Sequence, residues 1–208
     1  MWRKIEDDLA AWKNRRHRKP LMLTGIRQCG KTYSLRKFGR EQFSSCAYFN
    51  FEALPGLDAI FAPDFDTQRI LRELSGLGGV PFVDGETLVI LDEIQESPRA
   101  ITALKYLCEE RPALHVACAG SLLGTAVNRG GLSFPVGKVE RLAMFPMNFY
   151  EFVRANRGES FLRALADMDP QREIPGVYAD AMKQQLQQYF IAGGMPAAVS
   201  LWAEISFQ

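Results

Sequence analysis

The spacing of apolar residues changes several times along the chain, and each change marks an element. Trp2, Ile5, Leu9 and Trp12 recur at helical spacing and predict an amphipathic helix over 2–16, broken before Pro20. Leu21 to Thr24 is a short continuous apolar run, the pattern of a strand buried on both faces. A loop over Gly25–Gly30 and a helix over Lys31–Gln42 follow. Ala47 to Phe51 reads as a second strand, 52–65 as a loop with little regular structure, Thr67 to Leu74 as a helix, and Gly76–Gly85 as another loop. Leu88 to Leu91 is the most apolar strand. Pro98 then opens a helix that runs to Glu110, at a position where its missing N–H costs nothing. Leu114–Ala119 and Val139–Phe145 read as the fourth and fifth strands, separated by a Gly-rich stretch over Asn128–Gly137. Beyond Pro146 the pattern is helical, with Phe149, Phe152 and Val153 on one face. Strands alternating with helices predict an α/β fold, a parallel sheet covered on both faces.

The loop after the first strand carries chemistry. Gly25-Ile26-Arg27-Gln28-Cys29-Gly30-Lys31-Thr32 fits the phosphate-loop pattern G-x-x-x-x-G-K-[ST] at every fixed position. By average residue frequencies such a match arises by accident in roughly one chain in a hundred of this length. Here it also has the required strand before it and helix after it. Glycines let the backbone turn tightly and approach phosphates without a side chain between. The loop amides and the helix N-terminus favour an anion. Lys31 would place a compact positive charge on the β/γ-phosphates, and Thr32 would offer its hydroxyl to magnesium. Tyr33 completes the expected nucleotide-contacting set. Cys29 adds a thiol to the loop, and its alkylation is expected to block nucleotide binding.

Thr87 to Glu93, TLVILDE, is a buried strand ending in two carboxylates. In phosphate-loop NTPases an aspartate at such a strand end holds magnesium, which assigns Asp92 to the metal with Thr32 and leaves Glu93 to polarise the attacking water. Ser121 ends the fourth strand. It reads either as a polar contact to the γ-phosphate or as an ordinary cap of the next helix. No N-K-x-D guanine-reading motif occurs, so the pattern favours ATP. A kinase would need an Arg-rich lid, which Asn128–Gly137 does not supply.

Composition narrows the rest. The 208 residues suffice for one compact domain with a small appendage, and 47% hydrophobic residues are ample for a core. With 25 basic and 24 acidic residues the chain as a whole is not built for nucleic acid or a membrane surface. The basic run Arg15, Arg16, Arg18 and Lys19 leaves DNA binding open locally, and otherwise reads as a solvated helix end. Four cysteines without a C-x-x-C pair argue against zinc or a disulfide framework. The N-terminus has no signal-peptide core, and the expected location is cytoplasmic.

The segments PLMLTGIRQCGKTYSLRKFG, NFEALPGLDAIF, LVILDEIQESPRAITALKYLCEERP, HVACAGSLLG, FPVGKVERLAMFPMNFYEFV and YFIAGGMPAAV resemble a family of bacterial and archaeal AAA-type ATPases. Its members carry a C-terminal domain of unknown, nuclease-like character. The combination of DEIQ, AGSLLG and PMNFYEF is far more specific than the phosphate loop alone. The resemblance implies a five-stranded sheet of order 5-1-4-3-2. It also implies Glu93 as the catalytic base, Gln95 near the active site, and Ser121 as γ-phosphate sensor. Many members have Arg where this chain has Lys138, and Arg129 and Arg141 are alternative sources of a transition-state cation. The expected organisation is a phosphate-loop ATPase core over 1–145 and a helical extension over 146–208, the start of a truncated C-terminal region. The expected activity is magnesium-dependent ATP hydrolysis, with Lys31, Glu93 and Ser121 catalytic and self-association possible. The alternative is an ATP-gated switch or DNA-associated module with negligible turnover.

Overall fold

The computed structural model describes residues 1–121, 134–169 and 171–206. It divides into two compact units, one formed by Ile5–Met144 and one by Met1–Lys4 with Phe145 onward.

The larger unit is a five-stranded, all-parallel sheet of order β2-β3-β4-β1-β5, which is the expected order read from the other edge. Its strands are β1 (Leu21–Thr24), β2 (Ser45–Asn50), β3 (Thr87–Asp92), β4 (His115–Gly120) and β5 (Glu140–Ala143). Every residue of β3 and β4 is buried. That explains why their sequences read as unbroken apolar runs: a central parallel strand has no water-facing side.

Side chains alternate between two cores. Leu21, Leu23, Leu88, Ile90, Ala117 and Ala119 share one with α1 (Ile5–Lys13) and α2 (Lys31–Gln42). Met22, Val89, Leu91, Val116 and Cys118 share the other with α3 (Thr67–Gly78) and α4 (Pro98–Glu110). Asp92 has the parity of Leu88 and Ile90, so the strand delivers its carboxylate to the α2 side.

Both expected loops, 52–65 and 76–85, are helical in part. Pro55–Phe61 is a 3-10 helix that buries Leu57 and Phe61. The helix expected to stop at Leu74 runs on to Gly78, which approaches Phe49 so closely that a Cβ would stand 3.0 Å from the ring, and this packing offsets the glycine penalty. Gly79, at φ 63, closes it.

The smaller unit contains α5 (Phe149–Arg157), α6 (Glu159–Ala166), α7 (Gly176–Ala192) and α8 (Pro196–Ser206). Asn148 and Glu151 form a reciprocal capping box at the start of α5. Glu151 also accepts Arg3 Nε at 3.0 Å and the Lys4 amide at 2.8 Å, and so fastens residues 1–4 to this unit. Met147, Phe152 and Val199 form its core. Gly194 is required there, since a Cβ would sit 2.2 Å from the Met147 carbonyl oxygen. None of the described helices is long and apolar enough to cross a membrane.

His115 gives the larger unit a pH signature. It is buried at the start of β4, edge-on to Trp12 and Phe43. Burial, aided by Arg18, pushes its imidazole down to about 4. The unfolded chain takes up that proton near pH 6.5, so between 6.5 and 4 the unfolded state holds more protons. Stability therefore falls as pH drops through this window and the His115 contribution levels off below it. The loss amounts to up to about 3 kcal/mol. His115→Phe keeps the aromatic packing and should flatten denaturation free energy over pH 7 to 4 by that amount. A variant curve parallel to wild type would assign the pH dependence elsewhere.

Candidate functional site

The site is built at the carboxyl ends of β1, β3 and β4, where a parallel sheet leaves a crevice. The loop after β1 begins with Gly25, whose position is dictated by β5. A Cβ there would stand 2.1 Å from the carbonyl oxygen of Met144. The Met144 amide in turn donates to Thr24 O at 2.7 Å. Gln28 at φ 64 and Gly30 at φ 100 are both left-handed and wind the chain into the start of α2. For Gln28 that conformation costs on the order of 1 kcal/mol. Gly30 offers no side-chain cap to α2, so the first-turn amides keep their affinity for an anion.

Lys31 is buried, and its Nζ donates to Gly25 O and Ile26 O, both at 2.9 Å. An ammonium has three donors; two fix the loop and the third remains for a phosphate. Thr32 Oγ1 donates to Asp92 Oδ2 at 2.8 Å, across 60 residues of sequence. Asp92 is 2% exposed. Its Oδ2 also accepts the Tyr48 hydroxyl at 2.8 Å, and its Oδ1 the Glu93 amide at 3.1 Å. Burial, with the bond to Asp92, pushes the Tyr48 phenol above its usual range and keeps it a donor.

Glu93 leaves β3 in a left-handed conformation at φ 51. This breaks the strand alternation and turns its side chain to the cavity. Gln95 Nε2 donates to Glu93 Oε2 at 2.5 Å. Arg27, Gln28, Gly30, Lys31, Thr32, Tyr33, Glu52 and Glu93 line a cavity of about 400 Å³. Ser121 follows Gly120, the register partner of Thr24, and its buried Oγ has no hydrogen-bond partner among the described residues. The same holds for Gln95 Oε1.

The donor set fits magnesium. A hydroxyl and a carboxylate already share a hydrogen bond, and both are the hard oxygen ligands that a strongly hydrated cation accepts while keeping several waters. Among the described residues no three His, Cys, Asp or Glu side chains cluster as an all-protein metal cage.

The sequence expectations meet this geometry unevenly. Cys29 is sealed in the core with Sγ 3.6 Å from Met144 O. Its side chain is fully buried with Leu21, Leu23 and Leu35, so the expectation that alkylation of this thiol blocks nucleotide binding meets a thiol closed to solvent. Lys138 Nζ pairs with Glu109 at 2.8 Å, and Arg141 lies over the Phe134 ring at 4.2 Å. Neither lines the cavity. Arg129 lies outside the described residues. Within the basic run, Arg15 pairs with Glu140, and Arg18 donates to Pro112 O and Ala113 O at 3.1 and 2.9 Å. Sequence reasoning missed Tyr48 and Glu52. The alternation in AYFNF sets Tyr48 and Asn50 opposite Ala47 and Phe49. Only the register, which pairs Asn50 with Asp92, shows that this polar face meets the carboxylate.

The sequence profile of the AAA domain family matches residues 17–153, well over half of the chain, and the chain belongs to that family. Among solved structures, the Walker-type ATPase of Pyrococcus abyssi superimposes with a TM-score of 0.55 at 16% identity, over 98% of this chain and 67% of its own. AMPPCP-bound DnaA from Aquifex aeolicus gives 0.53 at 11% identity, over 96% and 58%. PCH-2 of C. elegans gives 0.51 at 15%, over 95% and 59%. At these identities the likeness is one of fold. The chain spans between 58% and 67% of the lengths of these three structures. No curated protein matches the chain in sequence.

The contact between Gly25 and Met144 is open to a direct check. Gly25→Ala should lower stability by about 1–3 kcal/mol through overpacking against backbone that cannot yield. Because β5 and the loop share that contact, hydrogen exchange should rise in both 25–30 and 140–144. Protection unchanged in both segments would remove the contact from the account.

Proposed function

We propose that this member of the AAA domain family binds ATP on Gly25–Thr32 and hydrolyses it with magnesium. The observation that carries the reading is the Thr32–Asp92 hydrogen bond at 2.8 Å. It unites the phosphate loop with the acidic strand end in one cavity. Thr32 and Asp92 would hold the cation, which when bound neutralises charge on the phosphates. Lys31 supplies a fixed positive charge at the loop. Glu93, lining the same cavity, serves as the base that orients and deprotonates water. Ser121, whose hydroxyl at the end of β4 has no partner among the described residues, serves as the contact to the terminal phosphate. Arg27, Gln28 and Tyr33 line the same cavity and would border the nucleotide.

A second reading, an ATP-gated switch with little turnover, is favoured by two observations. Gln95 holds the Glu93 carboxylate, and Lys138 and Arg141 are engaged elsewhere. A cation from a second copy would then complete the site. DNA association through the basic run would fall to Arg16 and Lys19, since Arg15 and Arg18 are tied into the fold.

Lys31→Ala should abolish ATP binding. Glu93→Gln should bind ATP as wild type does and lose turnover by about 100-fold or more, the scale of a general base. Titration calorimetry and phosphate release measure the two. Wild-type turnover in Glu93→Gln would overturn the assignment of the base. A wild-type rate per molecule that stays near zero over a wide range of protein concentration, with tight ATP binding, would select the switch.

A further inference from the structure

Tyr48 stands on β2, outside every expected nucleotide contact, yet its hydroxyl reaches the carboxylate oxygen that also takes the Thr32 hydroxyl. The two donors lie at 2.8 Å each from Asp92 Oδ2. A carboxylate buried at the end of β3 has few ways to fix its rotation, and here three donors fix it: Thr32 Oγ1, Tyr48 Oη and the Glu93 amide. Tyr48 is itself held. Asn50 Nδ2 donates to its oxygen at 3.2 Å, and the Arg36 guanidinium lies 4.8 Å from its ring centroid. The Asn50 carbonyl oxygen then accepts the amides of Glu52 and Ala53, at 2.9 and 2.8 Å. Glu52 borders the nucleotide cavity. A continuous chain of hydrogen bonds therefore runs from Thr32 through Asp92, Tyr48 and Asn50 to the loop that carries Glu52.

We propose that Tyr48 is a positioning residue that sets the magnesium affinity of the site by fixing the Asp92 carboxylate, and that it ties the Glu52 loop to that carboxylate. The inference rests on the reading of Thr32 and Asp92 as the cation ligands. A partner that orients a metal-binding carboxylate is worth on the order of tenfold or more in metal affinity when removed. Tyr48 does not touch the substrate in this scheme. It acts through Asp92, and a hydroxyl at the end of a rigid ring is suited to that because two torsions place it. Thr32 and Asp92 remain in Tyr48→Phe, so the variant removes orientation and leaves the ligands.

The test titrates a fluorescent, non-hydrolysable ATP analogue against wild type and Tyr48→Phe, first in EDTA and then at rising Mg²⁺. Thermal midpoints are recorded for both. Tyr48→Phe should bind the analogue in EDTA as wild type does. It should need on the order of tenfold more Mg²⁺ to reach the same enhancement of binding. Amide exchange at 51–53 should also rise in the variant. An unchanged Mg²⁺ requirement overturns the proposal, and a lowered thermal midpoint beside that unchanged requirement assigns Tyr48 a purely structural role. A wild-type protein whose analogue binding is indifferent to Mg²⁺ overturns the underlying assignment of Thr32 and Asp92. That outcome is visible before the variant is examined.

Discussion

The hydrogen bond from Thr32 to Asp92 joins two segments that the sheet does not make neighbours. β1 and β3 are separated by β4, so the loop leaving β1 and the carboxylate ending β3 can meet only across the end of the strand between them. The contact needs α2 to start at Lys31, β3 to end at Asp92 with the parity of Leu88 and Ile90, and all three strands to point the same way. A one-residue slip of β3 would send Asp92 to the α3–α4 side and put Leu91 beside Thr32. The two largely apolar cores resist such a slip, because the buried residues of β3 already pack with helices on alternate sides.

Around that contact the molecule carries features that oppose stability. Gln28 and Glu93 adopt left-handed backbone, at about 1–2 kcal/mol each. Lys31 and Asp92 are charged and buried. Ser121 Oγ and Gln95 Oε1 are buried with no partner among the described residues. These costs gather at one end of the sheet. Elsewhere the larger unit has capped helices, with Asp66 on α3 and Ser97 on α4, and side chains from alternating strand positions in two apolar clusters; His115, at the start of β4, is the exception, with both ring nitrogens buried and without a hydrogen-bond partner among the described residues. Gln28 and Glu93, the two non-glycine residues in left-handed backbone among those described, both line the cavity, and such local exceptions are expected at a functional site.

The smaller unit depends on a different device. Glu151 caps α5, pairs with Arg3 and receives the Lys4 amide, so one buried carboxylate joins the first residues of the chain to the start of that helix. Arg3 adds a bond to Phe145 O at 2.7 Å. Removing one member of such a pair leaves a buried charge, which explains why both ends are satisfied several times over. The Asn148–Glu151 box is a local pattern, N-x-x-E at the start of a helical run. The partnership with Arg3, across 148 residues, is not.

The amino-acid sequence by itself indicated most of the elements and the residues that meet at the candidate site. Continuous apolar runs specify central parallel strands, because such strands are dry on both faces. The glycines, Lys31 and Thr32 specify a phosphate loop, because few other residues tolerate its backbone or supply its charges. Asp92 and Glu93 stood out because two acids end a buried strand that follows a complete phosphate-loop pattern. What only the tertiary structure decided follows from register and close approach. Met144 fixes Gly25, Gly78 approaches Phe49, Cys29 is sealed in the core, and Tyr48 reaches Asp92. Each depends on distances between segments far apart in the chain, and periodicity within one segment carries no information about the strand beside it.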